Sequence, residues 1–177
     1  KSYTTPDNHS VSGKSARLES ENVVIAFAAG NLYTGQFGEI IGTSGASLKW
    51  GVPFTSRPVA LKGYYDYTSG TINKVKDPYK GMSGKPDQCQ ILVLLTDWSE
   101  QFEINTSKGH FVDLSTANKS IIAIGKMESP VSTNGFVEFT LPLEYRDLTR
   151  TPKYIVIACC SSYLGDYFTG STDSLMY

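Results

Sequence analysis

The chain has 177 residues, which is enough for one domain with a full hydrophobic core and short for two. Its 16 Lys and Arg residues nearly balance its 17 Asp and Glu residues, so the net charge is −1. This balance gives no electrostatic basis for binding nucleic acid or an anionic membrane surface. No apolar run reaches the ~18 residues of a membrane-spanning helix.

Strand patterns follow one another along the chain, with Gly, Pro and Asn turn signals between them. Helical patterns are almost missing, and the one weak candidate is 98–104. Nine or ten strands without crossover helices predict an antiparallel sandwich rather than a parallel α/β sheet. We expect an N-terminal extension at 1–13 and one β-sandwich domain over 14–177. The predicted strands are 15–20, 22–28, 32–41, 46–50, 59–68, 89–97, 120–126, 135–145 and 153–161.

Two long polar connections, 69–87 and 101–119, interrupt this series of strands. Long loops on a rigid sandwich often carry binding surfaces, and the alternative is that they are mobile excursions. Both readings stay open.

The strand at 153–161 is apolar on both faces. Tyr154 and Val156 alternate with Ile155 and Ile157, so both faces can be buried. The pattern therefore predicts a central strand that is covered on both sides.

The three cysteines cannot form a disulfide framework. Cys159 and Cys160 are adjacent in a strand and point to opposite faces, so they do not normally bridge each other. A bond from Cys89 to one of them stays open, and buried free thiols are the favoured state.

The aromatic strand 61–67 is the best candidate for a ligand surface. Alternation places Tyr65 and Tyr67 on one face beside Gly63, and Tyr64 on the other. Sugar rings stack on aromatic side chains, and their hydroxyl groups bind polar neighbours. The alternative is that Tyr65 and Tyr67 are core aromatics. Trp50 and Trp98 lie at strand ends, where each can cap the core or form a stacking platform.

Catalytic and metal-binding patterns are weak, so we predict no catalytic residue and no metal ligand. Glycosidases need two facing carboxyl groups ~5–9 Å apart. The sequence offers Glu100 with Glu103, and Glu138 with Glu144, which we place on one face of one strand and about 20 Å apart. Surface charge explains all four better. The two histidines, His9 and His110, are far apart, and His9 falls in a terminal segment that we expect to be flexible.

We expect no cofactor. A structural calcium ion is the one open alternative, because β-sandwich modules hold such ions with loop oxygens. Its candidate ligands are Asp7, Asn8 and Asp173, although their spacing matches no motif.

Three segments, 51–67, 87–97 and 136–175, follow one another in an order that resembles a known family. They are similar to the putative carbohydrate metabolism domain of surface and secreted proteins of Bacteroidetes. This resemblance implies a jelly-roll β-sandwich, similar to galactose-binding-like and carbohydrate-binding modules. It also implies an exported, periplasmic, extracellular or cell-surface protein, or a lipoprotein, with a role in glycan utilisation. In such domains the last strand usually continues into an acidic segment, whereas this sequence stops at Tyr177.

We therefore predict a non-catalytic glycan-binding or glycan-associated module of an exported bacterial protein. Its partners would be an oligo- or polysaccharide and other cell-surface proteins, but not nucleic acid. The candidate ligand-binding residues are Tyr64, Tyr65, Tyr67, Trp98 and Trp50. Two alternatives stay open: a glycoside hydrolase or lyase with paired carboxylates, and a structural or adhesive module without a small ligand.

Overall fold

A computed structural model describes residues 4–23, 26–42, 45–170 and 172–177. Within these ranges the chain consists of strands, turns and three short 3-10 helices, at Lys80–Met82, Thr106–Lys108 and Gly165–Tyr167, and has no α-helix. The all-β prediction is confirmed, and the jelly roll remains a prediction. The strands are β1 (Thr4–Asp7), β2 (Ser15–Glu19), β3 (Glu21–Val23), β4 (Ala26–Ala28), β5 (Asn31–Tyr33), β6 (Gly35–Ile41), β7 (Gly45–Trp50), β8 (Val52–Pro53), β9 (Ala60–Tyr65), β10 (Tyr67–Thr68), β11 (Cys89–Thr96), β12 (Phe102–Asn105), β13 (Ile121–Ser129), β14 (Val137–Pro142), β15 (Glu144–Tyr145), β16 (Tyr154–Cys160) and β17 (Leu175–Met176).

A central sheet organises these strands. Its order is β15-β13-β11-β16-β5, with β8 also paired to β16, and every pairing is antiparallel. One face is covered by β1-β2-β17-β10 together with β14-β9, which we call the terminal layer. The other face is covered by β12-β7-β6, which we call the hairpin layer.

The strand at 153–161 is central, as its two apolar faces predict. Ile155 and Ile157 pack into the core shared with the terminal layer. Val156 and Ala158 pack into the core shared with the hairpin layer. Both faces of β16 are therefore covered, while β11 and β5 pair with its two edges.

Two local predictions need correction. The weak helix candidate at 98–104 contains the start of strand β12, which pairs antiparallel with β7 and places Glu103 opposite Lys49 and Ile104 opposite Leu48. The predicted strand 135–145 is two strands in different sheets: β14 pairs with β9, and β15 pairs with β13. The N-terminal segment also takes part in the fold, since β1 pairs with β2 and the His9 ring lies 4.8 Å from that of Phe136.

The long connection 69–87 is packed against the protein. Ile72 is buried with Leu164 and Phe168 in a third, smaller core. The backbone N–H of Lys76 donates to the Tyr167 carbonyl at 2.8 Å, which ties this connection to the loop after β16.

A buried polar cluster closes the same end of the sandwich. The Asp87 carboxylate accepts hydrogen bonds from the hydroxyl groups of Ser162 and of Ser174, the latter at 2.8 Å. The Ser20 hydroxyl bonds to those of Ser161 and Ser162 at 2.7 and 2.8 Å. All five residues are buried, so their hydrogen bonds satisfy polar groups that water cannot reach.

Candidate functional site: an aromatic cleft beside Trp50

A concave cleft of about 250 Å³ lies between the central sheet and the hairpin layer. We call it the Trp50 cleft. Its floor is apolar, and aromatic side chains and a few polar groups surround the floor, as in most small-molecule sites. The residues that carry the argument are Tyr33, Trp50, Phe111, Tyr163, Gln90 and Asp166.

The backbone after β7 holds Trp50 at the cleft wall. Gly51 has φ +105°, a conformation that a side chain would strain, and its N–H donates to the Thr34 carbonyl at 2.9 Å. The Gly51 carbonyl accepts a hydrogen bond from Gln101 Nε2 at 2.7 Å. The Trp50 and Tyr33 rings then lie 6.4 Å apart, which is within the range of aromatic contact.

The Trp50 indole N–H has no hydrogen-bond partner. Among the described residues, Trp50 Nε1 is one of two buried side-chain polar atoms without one, and the other is Thr96 Oγ1. An indole N–H buried away from water normally has an acceptor. This donor therefore has no acceptor within the described protein, and the residue that carries it lines the cleft.

Polar groups lie around the aromatic rings. The Gln90 amide donates to Glu128 at 2.8 Å, which fixes its orientation. Asp166 is solvent-accessible at the rim, yet the protein around it raises the pKa of its carboxyl through desolvation, partly offset by Lys76. Burial also raises the pKa of the Tyr33 and Tyr163 phenols. Both phenols therefore stay protonated at neutral pH and can donate hydrogen bonds.

A second concavity, of about 440 Å³, lies beside β9 in the terminal layer. We call it the Tyr64 groove. Gly63, Tyr64 and Tyr65 border it on one side, and the 10–16 segment borders it on the other. Phe139 packs edge-on against Tyr65, with their ring centroids 6.0 Å apart.

The five predicted ligand-binding residues occupy four different environments. Trp50 lines the Trp50 cleft, while Tyr64 and Tyr65 line the Tyr64 groove. Trp98 caps the core, because its ring lies 5.2 Å from that of Phe102 and its N–H donates to Ser120. The prediction that Tyr67 belongs to a ligand-binding surface is wrong. Tyr67 has no exposed area, and its hydroxyl donates to the buried Ser161 carbonyl at 3.1 Å.

Five cleft residues were not identified from the sequence. Tyr33, Gln90, Phe111 and the pair Tyr163 and Asp166 come from four separate segments that the fold brings together. Tyr163 and Asp166 lie in the loop after β16, and the transition there from a buried strand to a polar loop was the one signal that could have located them.

The candidate carboxylate pairs do not form a site. Glu100, Glu103, Glu138 and Glu144 are all exposed. Glu138 and Glu144 belong to different sheets, which corrects the prediction that they share one strand. In the part of the chain that the structure describes, no group of three or more His, Cys, Asp or Glu side chains could hold a metal ion. No helix in that part is long and apolar enough to cross a membrane.

Comparisons with known proteins agree with the sequence resemblance. A family model described as "Putative carbohydrate metabolism domain" matches residues 1–177. No curated protein sequence matches the chain significantly.

Two solved structures are similar in fold. One is described as a putative glycoside hydrolase from Bacteroides thetaiotaomicron; it has a TM-score of 0.73 and 23% identity, over 98% of this chain and 54% of that one. The other, from Bacteroides vulgatus, has the same description, a TM-score of 0.71 and 18% identity, over 98% of this chain and 74% of that one. The chain thus spans about half the length of the first structure.

Proposed function

Because the chain belongs to the putative carbohydrate metabolism domain family, we propose that it is a non-catalytic module that binds a glycan in the Trp50 cleft. The observation that carries the proposal is the buried, unpartnered indole N–H of Trp50 in a cleft walled by aromatic rings. Apolar faces of a sugar stack on such rings, and its hydroxyl groups accept and donate hydrogen bonds.

The polar groups of the cleft suit a neutral sugar. Trp50 Nε1 and the phenols of Tyr33 and Tyr163 are donors, while the Asp166 carboxylate is an acceptor. The hydroxyl groups of a sugar can bond both to these donors and to this acceptor. Because the protein carries a net charge of only −1, we expect binding to depend little on salt.

The number of carboxylates in the cleft favours a binding role over a hydrolytic one. Asp166 is the single carboxylate among the described lining residues, whereas glycosidases use two. Its raised pKa would suit a general acid, so the alternative is testable. We expect the Asp166→Asn variant to keep measurable glycan binding, and we expect no release of reducing sugar by either protein.

We also propose that the sandwich is a jelly roll, similar to galactose-binding-like modules, in an exported protein. The jelly-roll topology is supported by antiparallel neighbours that are distant in sequence, since β11 lies between β13 and β16. The proposal that the protein is exported is supported by the Bacteroides origin of the two similar structures. The terminal-layer residues Tyr64 and Tyr65 and the core residue Trp98 are not part of the proposed glycan site.

A glycan-array screen of the purified domain tests the proposal. Phe111 is 40% exposed at the cleft, so Phe111→Ala removes a contact surface without opening the core. We expect this variant to bind its best glycan about two- to tenfold more weakly, since an aromatic contact contributes about 0.5–1.5 kcal/mol.

Phe37→Ala is the matched control, because Phe37 is 60% exposed and does not line the cleft. It should bind like the wild-type protein. The proposal would be contradicted if no glycan of a broad array bound, or if both variants lost affinity equally.

A further inference from the structure

The wall of the Trp50 cleft that belongs to the central sheet is small. Three neighbouring strands, β11, β16 and β5, supply it as two rows of residues that run straight across the strands. One row is Leu92, Ala158 and Tyr33, and the other is Gln90, Cys160 and Asn31. Two residues along a strand span about 7 Å and two strand spacings span about 10 Å, so the wall measures about 7 by 10 Å.

The cleft is closed at one end, because exposure falls along the strands that line it. On β11, Gln90 is half-buried, Leu92 is 2% exposed and Leu94 is fully buried. Val156 lies opposite Leu94 and is also fully buried, and both belong to the core between the central sheet and the hairpin layer. Asn31, at the other end of the wall, is exposed. The cleft therefore opens at the Asn31 end and ends on the core.

The hairpin layer bounds the cleft on the opposite side. Leu48 and Trp50 are two residues apart on β7 and so lie on the same face, and Ile104 of β12 lies opposite Leu48. The volume of the cleft, about 250 Å³, is below the roughly 300–1,000 Å³ of pockets that hold drug-sized ligands. Both its volume and its sheet wall suit one sugar ring rather than a chain of them.

We propose that the Trp50 cleft admits the single terminal ring of a glycan, so that the module recognises chain ends rather than internal segments. This inference rests on the proposed glycan site and specifies which part of the glycan the site takes. A unit inside a chain has a neighbour on two sides, whereas a cleft that ends on the core lets the chain leave only at the mouth. A terminal unit has one neighbour, which would leave past the exposed Asn31 and Asp166.

A length series tests the proposal by calorimetric titration. The probes are the methyl glycosides of glucose, galactose, mannose, xylose and N-acetylglucosamine, and linear oligosaccharides of two, four and six units of each sugar. We expect at least one methyl glycoside to bind. Its oligosaccharides should bind within about threefold of it, because rings outside the cleft add few contacts. A larger rise of affinity with chain length would overturn the proposal, since it requires contacts along a chain.

Filling the cleft from its sheet wall gives a second test. Ala158→Val adds two methyl groups to this wall and should weaken binding of the same methyl glycoside at least about tenfold in a folded protein. Ala60→Val is the matched control, because Ala60 is also a half-buried strand residue and does not line the cleft. It should bind like the wild-type protein. Equal binding by the Ala158→Val and wild-type proteins would overturn the proposal, because a ring inside the cleft contacts the added groups.

The outcomes separate this inference from the proposed function. If oligosaccharides bind while every methyl glycoside fails to bind, glycan binding stands and recognition of a single terminal ring is overturned. If no probe binds, both are contradicted.

Discussion

The carbonyl oxygen of Thr172 occupies the space in which residue 70 would carry a side chain: a Cβ built on Gly70 would lie 1.4 Å from it. The Gly70 N–H also donates to Ser174 Oγ at 3.0 Å. This close contact between the Gly70 and Thr172 backbones joins the start of the long connection 69–87 to the loop before β17, next to the buried polar cluster around Asp87.

Substitution at Gly70 should therefore be poorly tolerated. We expect Gly70→Ala to lower the free energy of unfolding by at least about 3 kcal/mol, because backbone rather than a flexible side chain must move. Gly81→Ala is the matched control, since a Cβ there meets nothing within 4 Å. It should change stability by less than about 0.5 kcal/mol in urea unfolding. Equal unfolding midpoints for the two variants would contradict this packing.

The Asp87 carboxylate should contribute strongly to stability. Its side chain is buried, and Asp87→Ala leaves the hydroxyl groups of Ser162 and Ser174 without their acceptor. A buried polar group without a partner costs about 1–3 kcal/mol, so we expect a loss of at least about 2 kcal/mol in urea unfolding. Asp77→Ala is the control, because Asp77 is 73% exposed in an ion pair with Lys80. A loss no larger than that of the control would show that the cluster is not stabilising.

The three cysteines should react slowly, as free thiols of which Cys89 is buried and Cys159 and Cys160 are half-buried. None forms a disulfide. Burial raises the pKa of Cys89 to about 12 and that of Cys159 to about 11, and it also raises the pKa of Cys160. Since the thiolate is the reactive form, we expect labelling at pH 8 to be at least about 100-fold slower in the folded protein than in urea. A thiol that labels at the unfolded rate would contradict this.

The hydrogen bond between His9 and Asp66 should stabilise the protein only above acidic pH. Asp66 accepts hydrogen bonds from Thr133 Oγ1 at 2.6 Å and from His9 Nε2 at 2.7 Å. Partial burial alone would raise the pKa of the Asp66 carboxyl, but these bonds outweigh it and lower that pKa. A carboxyl with a lowered folded pKa stabilises above its unfolded pKa of about 3.9, and that contribution is lost as pH falls through the folded value.

We therefore expect His9→Ala to cost about 0.5–1.5 kcal/mol at pH 6, and the difference from wild type to shrink below about pH 4. Urea unfolding of both proteins across this pH range measures the difference in their free energies of unfolding. His110→Ala is the control, because its ring stacks on Phe102 at 5.0 Å and the described contacts give it no carboxylate. A His9→Ala difference that stays constant down to pH 2 would contradict the role of Asp66.

Periodicity predicted the central strand but not the exposure of the aromatic residues. Strand β16 was identifiable because its apolar residues alternate to both faces, and Ile155 and Val156 indeed enter different cores. Alternation also placed Tyr65 and Tyr67 on one face, yet it cannot tell which face is the core. Tyr67 is buried because this face of the terminal layer meets the central sheet.

The candidate site depends on long-range pairing. Among the described lining residues, Trp50 alone was predicted from the sequence to bind a ligand, whereas Tyr33, Phe111 and Tyr163 join it through β5, the segment after β12 and the loop after β16. Local patterns give no information on which distant segments become neighbours, so the cleft could not be assembled from them.

The Trp50 indole N–H provides the most direct test of the glycan-binding account. Trp50 and Trp98 are the two tryptophans, so a Trp98→Phe protein labelled with ¹⁵N gives a single indole signal. Titration with a panel of oligosaccharides should move that signal saturably for at least one of them, because in the proposed complex the unpartnered N–H gains a sugar oxygen as its acceptor. A glycan that binds without moving it, or a panel in which none binds, would contradict the assignment of the Trp50 cleft as the glycan site.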